Sequence, residues 1–398
     1  VARVRVPIAF TRIDRWLIGS LVVAAGLAFA LLRLSETMVA PPRPRISASA
    51  RPTIGLALRA DGQVVRVVRA AGPAREAGLR AGDRIVAVDG HPTATVQSVA
   101  DAVAASAEGR TLSIDARRGP TGSGETAVMA AVNVVVRNIS PADLGLPYED
   151  VSFLTAEGLT LRGWYLPPPP TGAGRAPAIA YGHGNATDRR QWLPVALAVH
   201  EAGFAQLLFD FTGRGESDGE VITLGAHEHA DLRSALDALA ARPEVDPLRL
   251  ALAGRSMGAV AALYLAADDA RVKALVLDSP YAHLETLVDG IIAGYHLPAF
   301  VVRPILFEVA GWRAHYTPGT VRPLEAIRKI KSPILLFHGD KDTLVPFDDA
   351  LAFKAAAIGP LTLVPLPGLD HNTPRVSAYD DRIVSFLTQS LPSTWRTP

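Results

Sequence analysis

The spacing of apolar residues along the chain changes character twice. Residues 16–32 form an unbroken run of 17 residues without a charge, WLIGSLVVAAGLAFALL. As a helix at ~1.5 Å per residue, the run covers about 26 Å. Arg33 can snorkel and add Leu34, which brings the span near the ~30 Å of a bilayer's hydrocarbon. Residues 53–136 show short strand-like patterns broken by glycine turns. Strands are expected at 54–58, 64–68, 111–117 and 126–136, with a short helix over 96–105 capped by Thr95. From residue 151 the pattern changes again. Continuous apolar runs recur at 178–181, 205–209, 248–253, 272–277, 334–337 and 361–366. Helical stretches such as 191–202 and 226–241 separate most of them. Apolar strands alternating with helices predict a mostly parallel sheet covered on both faces. Residues 151–154 and 159–165, joined through Glu157-Gly158, predict an antiparallel hairpin at its edge.

These regimes divide the chain into a basic tail (1–15), a transmembrane helix (16–34) and a linker (35–52). A small α+β or β domain (53–136), a second linker (137–150) and an α/β domain (151–391) follow, the last with a helical lid at about 281–330. The apolar stretch of a cleaved signal peptide is normally ~7–15 residues, shorter than this one. The small-residue site Ala28-Phe29-Ala30 also falls inside the run, so an uncleaved anchor is expected. Four arginines precede the span and four follow closely, a near tie. Their packing into a short tail favours that tail inside and the later domains outside the cytoplasm, periplasmic or extracellular. Residues 35–52, rich in Pro, Arg and Ser, read as a stiff, extended linker.

Composition narrows the function classes. Hydrophobic residues make up 49% and charged residues 20% of 398, a globular balance. A net charge of +1 provides no field to recruit nucleic acid. The absence of cysteine excludes disulfides, zinc–thiolate sites and a cysteine nucleophile. His227 and His229 fall on different faces of one helix, which disfavours a metal site. No metal or cofactor is expected.

The chemistry gathers in the α/β region. The strand at 248–253 runs into Gly254-Arg255-Ser256-Met257-Gly258 and then an alanine-rich helix. G-x-S-x-G between a buried strand and a helix fits a tight turn that exposes the serine at a helix N-terminus. Ser256 is the expected nucleophile, and the N–H of Met257 is placed beside a developing oxyanion. A second oxyanion donor is expected after an earlier strand, where Tyr181-Gly182-His183-Gly184-Asn185 nominates the N–H of Asn185. His183 precedes the serine and is expected to shape that loop. The acid and base should follow the nucleophile in the chain, each after a strand. That selects Asp342 as acid and His371 as base, with Asp340 and Asp278 as rival acids.

With Asp210 to Ser217 as Asp-Phe-x-Gly-x-Gly-x-Ser, these residues resemble the α/β-hydrolase superfamily over about residues 148–391. The resemblance implies a doubly wound, mostly parallel sheet with a helical lid, and a Ser256–His371–Asp342 catalytic triad. The branch it points to includes esterases, thioesterase-like enzymes and some peptidases. Residues 53–136 resemble a bacterial-type PDZ domain, most specifically over 73–90. That resemblance implies that Ile54, Gly55, Leu56 and Ala57 bind a peptide's C-terminal carboxylate beside a sheet edge.

The function expected is a membrane-anchored esterase or thioesterase whose PDZ module recruits or gates a partner. A serine peptidase of the same fold and a catalytically inactive scaffold are the alternatives. The lid carries Leu287, Ile292, Tyr295, Phe300, Phe307 and Trp312 among many apolar side chains. Some are expected to line a pocket for a lipophilic acyl substrate.

Overall fold

The computed structural model describes residues 56–61, 64–70, 72–93, 95–106, 109–118, 128–135, 139–170, 174–373, 375 and 379–392. The basic tail, the expected span at 16–34, and Ile54 and Gly55 of the expected peptide site lie outside the described residues.

The first domain is an antiparallel sheet with two short helices. Its strands are β1 (Leu56–Asp61), β2 (Val64–Ala70), β3 (Arg84–Val88), β4 (His91–Pro92), β5 (Thr111–Arg118) and β6 (Val128–Val135), and its helices α1 (Gly72–Glu76) and α2 (Val96–Ala104). The order is β1-β2-β3-β5-β6, with β4 paired to β3. Val65, Val67, Leu79, Ile85, Val99, Leu112 and Ile114 form its core. Thr95 caps α2 as expected: Thr95 Oγ1 accepts from the Ser98 N–H at 3.1 Å, and Ser98 Oγ accepts from the Thr95 N–H at 3.4 Å. Helix α1 was not expected, because Gly72-Pro73 reads as a turn; proline suits a helix's first turn equally well. Strand β1 lies at the sheet's edge and pairs only with β2 among the described strands.

The second domain is built on eight strands. They are β7 (Glu149–Leu154), β8 (Thr160–Leu166), β9 (Ala176–Gly182), β10 (Ala205–Phe209), β11 (Val245–Arg255), β12 (Val272–Asp278), β13 (Ile334–Gly339) and β14 (Leu361–Leu366). The order is β14-β13-β12-β11-β9-β10-β8-β7. Strands β9 to β14 are mutually parallel, and the β7–β8 hairpin closes one edge antiparallel. The helices are α3 (Leu193–Glu201), α4 (Glu228–Ala240), α5 (Met257–Asp268), α6 (Leu284–Gly294), α7 (Ala299–Ala314), α8 (Pro323–Ala326), α9 (Phe347–Ala356) and α10 (Tyr379–Ser390).

Alternation along the strands feeds two cores, one on each face. Leu250, Leu252, Leu275 and Leu277 pack with α4, α5 and the lid helices. Ala251, Ala253, Ala274 and Val276 pack with α3 and α10. With both faces covered, these strands are apolar at nearly every position, which made them legible as continuous runs. Because the strands are parallel, β9, β11, β12, β13 and β14 all end at the same edge, and the loops carrying the candidate residues gather there.

Candidate active site

Strand β11 ends at Arg255, Ser256 turns the chain and α5 begins at Met257. Ser256 has φ +51° and ψ −118°, a conformation rare for a residue with a side chain. The flanking glycines explain how the turn fits. A Cβ on Gly254 would lie 2.3 Å from the Gly258 carbonyl oxygen. One on Gly258 would lie 2.2 Å from the Gly182 oxygen, so the helix start is pressed against the end of β9. The Ser256 N–H donates to the Asp278 carbonyl at 2.8 Å, which fixes the turn to β12.

The structure brings Ser256, His371 and Asp342 together. His371 Nε2 is 3.1 Å from Ser256 Oγ, and His371 Nδ1 is 2.7 Å from Asp342 Oδ2. The other Asp342 oxygen accepts the N–H groups of Leu344 (3.1 Å) and Val345 (2.7 Å). With its carboxylate so placed, Asp342 accepts from the Nδ1–H of His371, which leaves Nε2 facing the serine hydroxyl. The acid and base loops are laced together. Asp370 Oδ1 accepts from the Thr343 N–H at 2.7 Å and the His371 N–H at 2.8 Å. Asp340 Oδ1 accepts from the Gly368 N–H at 2.6 Å. Asp340 therefore binds loop to loop and does not touch His371.

The other rival, Asp278, is fully buried beneath the site. Arg375 reaches it through two nitrogens at 2.8 and 2.9 Å, the Tyr379 hydroxyl donates at 3.1 Å, and Arg255 Nε lies 3.8 Å away. Burial pushes its carboxyl up, but Arg375 and Arg255 outweigh burial and hold it below the usual carboxylate range. The same two arginines grip the base loop. Arg255 Nη2 donates to the His371 carbonyl at 2.7 Å, and Arg375 Nη1 to those of Asp370 (3.2 Å) and Thr373 (3.0 Å). Sequence reasoning missed this cluster. Arg255 stood inside the G-x-S-x-G motif, while nothing local marks Arg375 or Tyr379.

The loop after β9 is held on several sides. His183 is buried, its Nδ1 donating to the Gly184 carbonyl at 2.8 Å and its Nε2 accepting from the Phe211 N–H at 3.1 Å. Burial lowers its pKa, so it sits as a neutral structural ring. The Gly184 N–H is taken by Gln191 Oε1 at 2.8 Å, and buried Arg214 donates to the side-chain oxygen of Asn185. Among the described residues, the backbone N–H groups of Asn185 and Met257 have no acceptor.

Helix α6 borders the site, its Gly290 lying near the Leu344 carbonyl of the acid loop. The lid's apolar residues fall into two sets. Leu287, Ile292, Val302 and Leu306 are buried in the main core, and Phe307 packs against it. Tyr295, Phe300, Val301, Ile305 and Trp312 lie on the surface. An open groove of about 510 Å³ lies beside Glu285, Arg303, Ile305, Phe307 and Glu308, and no residue of the Ser256 site lines it. Among the described residues, no group of three or more His, Asp or Glu side chains converges as a metal site.

A family model described as PDZ domain matches residues 64–118, and one described as serine aminopeptidase, S33, matches residues 176–319. Rv2307c, an uncharacterised protein of Mycobacterium tuberculosis, is 34% identical over 244 residues, 61% of this chain and 79% of that protein. The alpha/beta hydrolase domain-containing protein WAV2 of Arabidopsis thaliana is 28% identical over 58% of this chain and 75% of its own length. Among solved structures, the esterase Pf2001 of Pyrococcus furiosus is similar with a TM-score of 0.51 and 25% identity, over 65% of this chain and 96% of that one.

Proposed function

This chain belongs to the α/β-hydrolase family, and on that premise we propose that it is a serine hydrolase cleaving carboxylic esters or thioesters through an acyl-enzyme. The observation that carries the reading is the continuous hydrogen-bonded path from Ser256 Oγ through His371 to Asp342. In this scheme Ser256 Oγ attacks the acyl carbonyl carbon as its proton passes to His371 Nε2. Asp342 stabilises the imidazolium and keeps its ring in register. The carbonyl π electrons move onto oxygen, which accepts the N–H groups of Met257 and Asn185. His371 returns the proton to the leaving alcohol or thiol as the carbon–heteroatom bond breaks. Water then repeats the sequence on the acyl-enzyme, freeing the acid and Ser256.

Ester cleavage is favoured over amide cleavage by the likeness to an esterase across nearly that enzyme's whole length. The serine aminopeptidase description of the matching family model supports peptidase activity as a second reading. We assign the apolar run at 16–34 the role of a membrane anchor, with both domains outside the cytoplasm. We assign the PDZ domain the capture of a peptide C-terminus along edge strand β1 beside α2.

A panel of p-nitrophenyl esters, acyl thioesters and aminoacyl amides, tried on the full chain in detergent, tests the chemistry. Ester or thioester turnover that disappears in Ser256→Ala is expected. Faster turnover of aminoacyl amides would promote the peptidase.

A further inference from the structure

Helix α7 has two faces. Val302, Leu306, Ala310 and Ala314 turn inward and are buried. Phe300, Val301, Pro304, Ile305, Glu308 and Trp312 fall on the opposite side and are exposed. Phe300 is 79% and Trp312 78% exposed. Nine large apolar side chains are exposed among the described residues, and five of them lie between Tyr295 and Trp312. Four of the five lie on α7 itself, which is not the scattered exposure of an ordinary surface.

The face carries one charge, Glu308. Around it, Arg303 is paired with Asp289, and Arg322 with Glu285 at 3.3 Å, so the neighbouring charges are largely neutralised in place. Helices α6 and α7 have the length and hydropathy of a span only when taken together, and they are bent 117° from each other. That geometry cannot cross a bilayer as one rod. It suits a helix lying in the plane of the interface, with Trp312 and Tyr295 as the aromatic residues that favour the headgroup level.

We propose that the outer face of α7 rests on a lipid bilayer. The sequence argues for lipid rather than a protein partner. The 17-residue apolar run at 16–32 precedes the domains, and the 18 residues at 35–52 can reach at most roughly 60 Å from it to the first of them. The proposal draws on the anchor for proximity alone. Because α6 joins α7 to the acid loop at Leu344, docking would set the Ser256 site at the membrane surface, where a lipophilic acyl substrate is concentrated.

The chain has no cysteine, so single thiols are clean probes. Full-length Trp312→Cys, Phe300→Cys and Leu248→Cys, each carrying an environment-sensitive dye, are placed in phosphatidylcholine–phosphatidylglycerol vesicles. Leu248 is 72% exposed at the far end of the sheet and serves as the reference. Dyes at 312 and 300 should be quenched by brominated lipid and be about tenfold less accessible to aqueous iodide than the dye at 248. Equal iodide access at all three positions overturns the proposal. So does shielding at 312 without lipid quenching, which would mean the face is covered by protein. Release of the protein by alkaline carbonate, with lipid quenching kept at neutral pH, would remove the anchor and leave the docking intact.

Discussion

Two aspartates hold the His371 loop from opposite sides, and their surroundings separate their roles. Asp342 touches the imidazole itself, whereas Asp278 reaches the loop through the arginines that grip its backbone. Asp342→Asn should leave the fold intact and lower kcat on the order of 10⁴-fold, since the ring loses its orienting anion. Asp278→Asn should instead destabilise the domain by about 3–5 kcal/mol, because two buried guanidiniums lose their counter-charge. Thermal melts beside initial rates separate the two, and a stable Asp278→Asn with Asp342-like kinetics would reverse the assignment. Ser256, Asp342 and His371 were legible in the sequence because each follows an apolar strand in a fixed chain order. Motif position selected Asp342 over Asp340 and Asp278, but the sequence did not show what occupies Asp278 instead. The burial of Asp278 depends on Arg255, Arg375 and Tyr379, which come from two distant segments of the chain.

At the level of elements, the strands were legible and the lid's orientation was not. A strand buried on both faces shows itself as an apolar run, as at 205–209, where β10 matches the expected ends; edge strand β14 also matches at 361–366, though only Val364 in it is buried. The lid is apolar on both of its faces, so composition alone could not say which face meets the core. A further element-level consequence concerns α4, whose buried Asp231 accepts the N–H of Thr212 at 2.8 Å and its hydroxyl at 3.1 Å. Burial pushes its carboxyl up to about 7; Thr212 opposes the shift and the charge of Glu228 adds to it. A carboxyl whose folded pKa is raised stabilises fully below its unfolded pKa and loses that contribution as pH climbs through the folded value. Stability should therefore decline from about pH 4 to pH 7, by at most about 4 kcal/mol. Denaturant midpoints across that range should fall in wild type and flatten in Asp231→Asn; parallel profiles would contradict it. In the PDZ domain, edge strand β1 beside α2 leads to a separate expectation. Peptides with a free apolar C-terminus should bind, and amidation should weaken them at least about tenfold through the lost carboxylate contacts. Equal binding of amidated peptides would contradict carboxylate capture.

On the scale of the whole molecule, a PDZ domain and an α/β-hydrolase domain share one chain, with a membrane anchor proposed at 16–34. The anchor reading predicts that protease added to intact spheroplasts degrades the hydrolase domain; protection until the membrane is opened would reverse the topology. The central claim, however, is chemical and concerns one oxygen atom. Intact-protein mass spectrometry after incubation with a fluorophosphonate measures it most directly. The account predicts a single phosphonyl adduct, mapped by peptide digestion to Ser256 and absent from Ser256→Ala. An adduct on another residue, or equal labelling of the alanine variant, would contradict it.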